Sequence, residues 1–137
     1  MRWGDKPALY SGALRAGHRC EYCHAPEAVF NLSLEVEHIV PSARGGEDTA
    51  ANWALACRAC NLYEAAHVSG SEPESNAVVR LFHPRADQWE DHSQVAPESG
   101  KIVGRTSIGR VTVARLGVNS AAQVAARQQW MRLGFFP

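Results

Sequence analysis

Two identical knuckles, Cys20-x-x-Cys23 and Cys57-x-x-Cys60, narrow the folds open to this chain more than any other feature, and they use all four of its cysteines. Each knuckle can turn two thiolates toward one point, and two knuckles close a tetrahedral shell with sulfur about 2.3 Å from a zinc ion. Two disulfides, four buried thiols or a redox role for one pair would use the same spacing. Disulfides are disfavoured in a reducing compartment. The four cysteines are therefore read as ligands of a structural Zn²⁺. A four-thiolate shell leaves no coordination position open, so it holds a fold together rather than performing chemistry.

The compartment is inferred from what surrounds the knuckles. The opening MRWGDKPALYSG lacks the apolar stretch of a secretory signal. No run approaches the ~18 consecutive apolar residues of a membrane helix. A cytoplasmic protein with no membrane partner is expected. At 137 residues the chain is one domain, or a small domain with an appendage. At that size a local staple helps the smaller half.

The formal net charge is zero, which by itself argues against a nucleic-acid binder. The distribution argues otherwise. Residues 101–137 carry Lys101, Arg105, Arg110, Arg115, Arg127 and Arg132 with no acid among them. Any single arginine there reads as a solvated helix face. Six cations without a counter-charge hint at a surface for a polyanion.

Along the chain, Lys6–Gly17 reads as a short helix and Leu32–Val40 as a strand, with a loop broken by Pro41 and Gly45-Gly46. Thr49–Cys57 is ambiguous between a turn and a second strand. Arg58–His67 reads as a helix starting at or just after Cys57. Residues 69–79 form the sharpest change of composition, a polar linker. It separates a unit at 1–68 from an extension at 80–137. The extension reads as two short strands around a Pro/Glu/Ser/Gly turn, then two helices, the second capped by Asn119 or Ser120.

Between the knuckles lie Glu37-His38, Gly45-Gly46 and Asn52, followed by Cys57-x-x-Cys60-Asn61. In a strand Leu34, Val36, His38 and Val40 share one face, so a histidine falls among apolar residues with a carboxylate beside it. Alone, such a histidine is more often structural. The whole string, LEVEHIVPSARGGEDTAANWALACRACN, resembles the HNH endonuclease family over about Arg15 to His67. The resemblance implies an α+β fold: a ββα-metal core, a structural zinc knuckle pair beside it, and here a small C-terminal extension of strands and helices packed on the core. It implies that His38 is the general base, a role suited to imidazole near neutral pH. It implies that Glu37 and Asn61 hold a catalytic Mg²⁺ or Mn²⁺ through oxygen. By the same resemblance, Asn52 braces the loop and orients the histidine. The substrate class implied is nucleic acid, foremost double-stranded DNA. One such site makes one cut, so a monomer should nick. The oligomeric state is open.

Two departures from the family pattern stand out. Glu37 replaces the usual Asp, moving the carboxylate outward by one methylene. Glu64 stands three residues after Asn61, where the family often has Lys. It is either a further metal ligand or a surface acid in place of a phosphate-binding lysine. His67 is a further candidate ligand. The second half is similar to an extension found on small bacterial HNH proteins, through Pro84-Arg85, Trp89, His92 and Gly109-Arg110-x-Thr112-Val113. Arg85, Arg105 and Arg110 are its candidate phosphate contacts. Alternatively Leu81, Phe82, Trp89 and Ile102 form a small core and Arg85 pairs with an acid. The alternative function is a weak or inactive zinc-stabilised DNA-binding module on the same scaffold; action on RNA is a further reading.

Overall fold

A computed structural model describes residues 15–29 and 34–137. The helix expected at Lys6–Gly17 falls largely outside them. The first described feature is the N-terminal knuckle, a tight turn closed by Cys20 N–H to Ala25 O at 2.9 Å and His24 N–H to Cys20 O at 2.9 Å. Strand β1 (Glu35–His38) pairs antiparallel with β2 (Trp53–Ala56), Glu35 opposite Ala56 and His38 opposite Trp53. The ambiguous Thr49–Cys57 segment thus resolves into a single 3-10 turn, Ala50–Asn52, running into a strand. Helix α1 (Arg58–Glu64) follows at once and ends at Ala65, whose φ is 49°.

The knuckle is tied to the hairpin from both sides of one residue. Glu21 N–H donates to Leu55 O at 2.8 Å, and Glu21 Oε2 accepts from Leu55 N–H at 2.8 Å. Leu55 is fully buried with Ala54 and Ala56, so both faces of β2 are covered.

The segment expected to be a linker is a hairpin: β3 (Ser69–Ser71) pairs with β4 (Val78–Arg80). Its polar composition serves the turn. Glu72 Oε2 accepts from Glu74 N–H, Ser75 N–H and the Ser75 hydroxyl. Its Oε1 meets Arg110 Nε at 2.6 Å. That guanidinium holds the Glu72 carboxyl down to about 2.

Beyond it come helix α2 (Trp89–His92), strand β5 (Ser93–Val95) paired with β6 (Ile102–Gly104), and helices α3 (Ser107–Leu116) and α4 (Ala121–Arg132). Thr106 caps α3 by accepting from Gly109 N–H, and Ser120 caps α4 by accepting from Gln123 N–H. One buried cluster runs from the four cysteines through Val36 and Leu55 to Phe82, Ile102, Leu116 and Val118. The C-terminal segment therefore packs on the knuckle-and-hairpin unit through a shared core. No helix among the described residues is long and apolar enough to cross a membrane.

Candidate active site and metal centre

The four cysteine sulfurs lie within 4.8 Å of one another, all buried, and Cys23 Sγ sits 3.8 Å from Cys57 Sγ. A tetrahedral zinc with sulfur at about 2.3 Å requires sulfurs about 3.8 Å apart, so this donor set fits the ion. No disulfide joins the thiols. Burial pushes the Cys20 thiol up, whereas hydrogen bonds from Cys20, Cys23 and Cys60 pull Cys57 down. Such a cluster needs a cation to carry four thiolates.

Arg127 of α4 also faces this region. It is 0 % exposed. Its Nη1 donates to Gly100 O and its Nη2 to Val118 O, both at 2.8 Å, and its Cζ lies 5.9 Å from the Phe136 ring centroid. Burial lowers its basicity, and the charges of all four cysteines act in the opposite direction. Val118 belongs to the same buried cluster as the cysteines. Nothing along the chain sets Arg127 apart from the other five C-terminal cations.

The second site lies where β1 meets α1. Val36, Glu37, His38, Pro41, Ser42, Asn61, Glu64 and Ala65 line a groove of about 250 Å³. Glu37 and His38 point to opposite sides of a regularly paired strand, yet both reach it. Strand pairing ends within a residue of His38, the last bond being Ile39 N–H to Asn52 O, and the chain then turns at Pro41. The groove opens at that end.

The loop between the strands has a clear local cause. Gly45 adopts a φ of 85°, and a Cβ on Gly46 would stand 1.7 Å from Val40 O. Only glycine lets the loop return this close to β1. Asn52 locks the crossing. Its Nδ2 donates to Val40 O at 2.9 Å and Glu47 O at 2.8 Å, and its Oδ1 accepts from Val40 N–H at 2.9 Å.

That loop delivers a residue that sequence reasoning missed. His38 Nε2 is 2.9 Å from Asp48 Oδ1, which also accepts from Trp53 Nε1–H at 2.9 Å. The bond to His38 lowers the Asp48 carboxyl below its ordinary value. The only signal was an acid at the end of the glycine loop; its reach to His38 depends on how Asn52 folds that loop.

Glu37 sits on the buried side, 6 % exposed, and neither carboxylate oxygen has a hydrogen-bond partner. Glu64 is 3 % exposed. It is not a surface acid. Burial raises both carboxyls, that of Glu64 to about 10, with Glu37 contributing to the rise. Tyr22, buried beside them, is raised well above its ordinary value by burial and by the Glu37 charge. These oxygens and the Asn61 amide form an oxygen donor set that suits a hard divalent cation.

His67 lies elsewhere. It lines a neighbouring cavity of about 230 Å³ with Tyr22, Ile39, Leu81, Phe82 and His83, which touches the groove only through Glu64. Of the three expected phosphate contacts, two are engaged within the protein. Arg85 is ion-paired with Glu21, the residue that ties the knuckle to β2. Arg110 is held by Glu72 and by Glu74 at 3.3 Å. Arg105 is exposed, with Nη1 donating to Glu90 O at 3.0 Å. Trp89 donates to Tyr22 O at 2.8 Å and stacks on His24 with ring centroids 4.0 Å apart, so it joins the extension to the knuckle. His92 Nδ1 is 2.7 Å from Thr106 Oγ1.

Residues 20–66 match the family model described as HNH endonuclease, and they form an HNH domain that spans both knuckles, the hairpin and α1. Comparison with curated proteins and with solved structures gives no match.

Proposed function

We propose that the HNH domain at residues 20–66 makes this chain a metal-dependent endonuclease that hydrolyses phosphodiester bonds in DNA. The observation that supports this reading is the convergence of Glu37, His38 and Asn61 on one groove. His38 acts as general base toward a water molecule. An ionised Asp48 accepts the hydrogen bond from Nε2–H, which leaves Nδ1 as the basic nitrogen and fixes the ring. Asn52 acts through the loop, holding Asp48 and the end of β1 in register. Glu37 and Asn61 hold the divalent ion. Bound there, Mg²⁺ or Mn²⁺ supplies positive charge to the crowded phosphorus centre and the leaving oxygen. Structural Zn²⁺ at the cysteines keeps α1 and the hairpin at a fixed distance.

One groove makes one cut, so a monomer nicks. The test is plasmid relaxation by zinc-replete protein with Mg²⁺ or Mn²⁺. Wild type should nick, and His38→Ala should lose about 10²–10⁴-fold in rate, the usual scale for a general base. Equal cutting by His38→Ala would overturn the assignment. An intact plasmid with either ion would favour a zinc-stabilised binding module.

A further inference from the structure

Glu64 stands where the ordinary expectation is a solvent-facing side chain, yet its carboxylate is almost fully covered. It stands three positions after Asn61 on α1, so the two share a side of the helix. Both line the groove with Glu37. Neither Glu37 nor Glu64 forms an ion pair with a described residue, and Arg115 acts on Glu64 only through its charge. Two buried carboxylates side by side, one with both oxygens unpartnered, are unfavourable unless a cation or a proton stands between them.

We propose that Glu64 is a third protein ligand of the groove's divalent cation, so that this chain binds the ion through two carboxylates and one amide. The inference rests on the endonuclease reading for the location of the ion, and adds a ligand where the family pattern often has Lys. Every donor is oxygen, which selects a hard ion such as Mg²⁺ or Mn²⁺ over one preferring nitrogen or sulfur. The extra negative charge tightens the ion's hold. The shell also explains the burial of Glu64, which a lost phosphate contact would not.

The test measures binding, not cutting. Zinc-replete full-length protein carrying His38→Ala is titrated with Mn²⁺, and free Mn²⁺ is followed by its paramagnetic resonance signal. The same titration is repeated after adding Glu64→Gln or Glu64→Asp. Glu64→Gln should weaken Mn²⁺ binding by about tenfold or more, with Glu64→Asp between it and the parent. Its thermal midpoint without Mn²⁺ should be unchanged or higher, since the amide avoids the proton uptake that burying the Glu64 carboxyl requires. Equal Mn²⁺ affinity in parent and Glu64→Gln overturns the assignment, as does the absence of saturable binding to the parent. If Glu64→Gln proves unfolded, the affinity of Glu64→Asp decides instead: weaker binding than the parent supports the ligand, and equal binding overturns it. The nuclease reading is judged separately, by plasmid nicking with and without His38.

Discussion

Arg127 and Glu37 are both charged side chains taken almost wholly out of water, and the structure treats them in opposite ways. Arg127 finds two carbonyl acceptors, an aromatic face and four thiols whose charge supports its own; only its Nε lacks an acceptor. Glu37 finds a second acid and the Tyr22 hydroxyl, and no cation among the described residues pairs with it. The first arrangement is self-consistent when zinc fills the cysteine shell, because four thiolates around Zn²⁺ leave a net negative charge for the guanidinium to offset. The second is self-consistent only when a proton or a cation stands between the two carboxyls. A buried charge with partners stabilises a fold, while a buried charge without them marks a place that binds.

The comparison can be broken from either end. The largest effect should come from the zinc shell. Cys60→Ser, or prolonged exposure to a strong chelator, should remove the metal and unfold the domain, since structural zinc contributes on the order of 10 kcal/mol. Circular dichroism and zinc analysis should fall together, from about one zinc per chain. A chain that stayed folded without zinc would refute the claim that the shell is structural.

Arg127→Met comes next. It keeps the volume, removes the charge, and leaves the carbonyls of Gly100 and Val118 without their donors. The expected loss is about 3 kcal/mol. It should appear in denaturant unfolding, together with faster zinc release to a chromogenic chelator. Unchanged zinc release would separate Arg127 from the thiolates.

The smallest effect, and the one of opposite sign, belongs to Glu37→Gln. Without a divalent cation it should raise stability by about 1 kcal/mol, because a neutral amide avoids the cost of burying a carboxylate charge. It should also lose most of the nicking rate. If Glu37→Gln destabilised the metal-free groove as Arg127→Met does the core, the contrast would collapse.

Much of the site is legible along the chain. The cysteine spacing implies one cluster, and the sulfurs do converge. Residue type and offset single out Glu37, His38 and Asn61, and these line one groove. Strand β1, the glycine loop and the Ser120 cap of α4 follow from local rules. What escapes is non-local. Asp48 reaches His38 only after Asn52 has folded the loop back on Val40. Glu21 lies at the start of the HNH domain and Arg85 beyond its end, and no spacing rule foretells their pairing. The cationic tail looks like a surface for a polyanion, yet Arg110 and Arg127 direct their charge into the protein. Residues 69–79 look like a linker because turn-forming polar residues resemble one; Glu72 becomes a buried turn anchor only when Arg110 arrives from α3.

The sequence by itself determined the cysteine cluster, strand β1, helix α1 and the last two helices, and which residues bring a carboxylate, an imidazole and an amide to the groove, because those depend on residue type and near spacing. Tertiary structure alone decided which charges are satisfied and which stand open. Burial and partnership come from segments far apart in the chain, so Arg127 became part of the scaffold while Glu37 and Glu64 were left side by side in a groove.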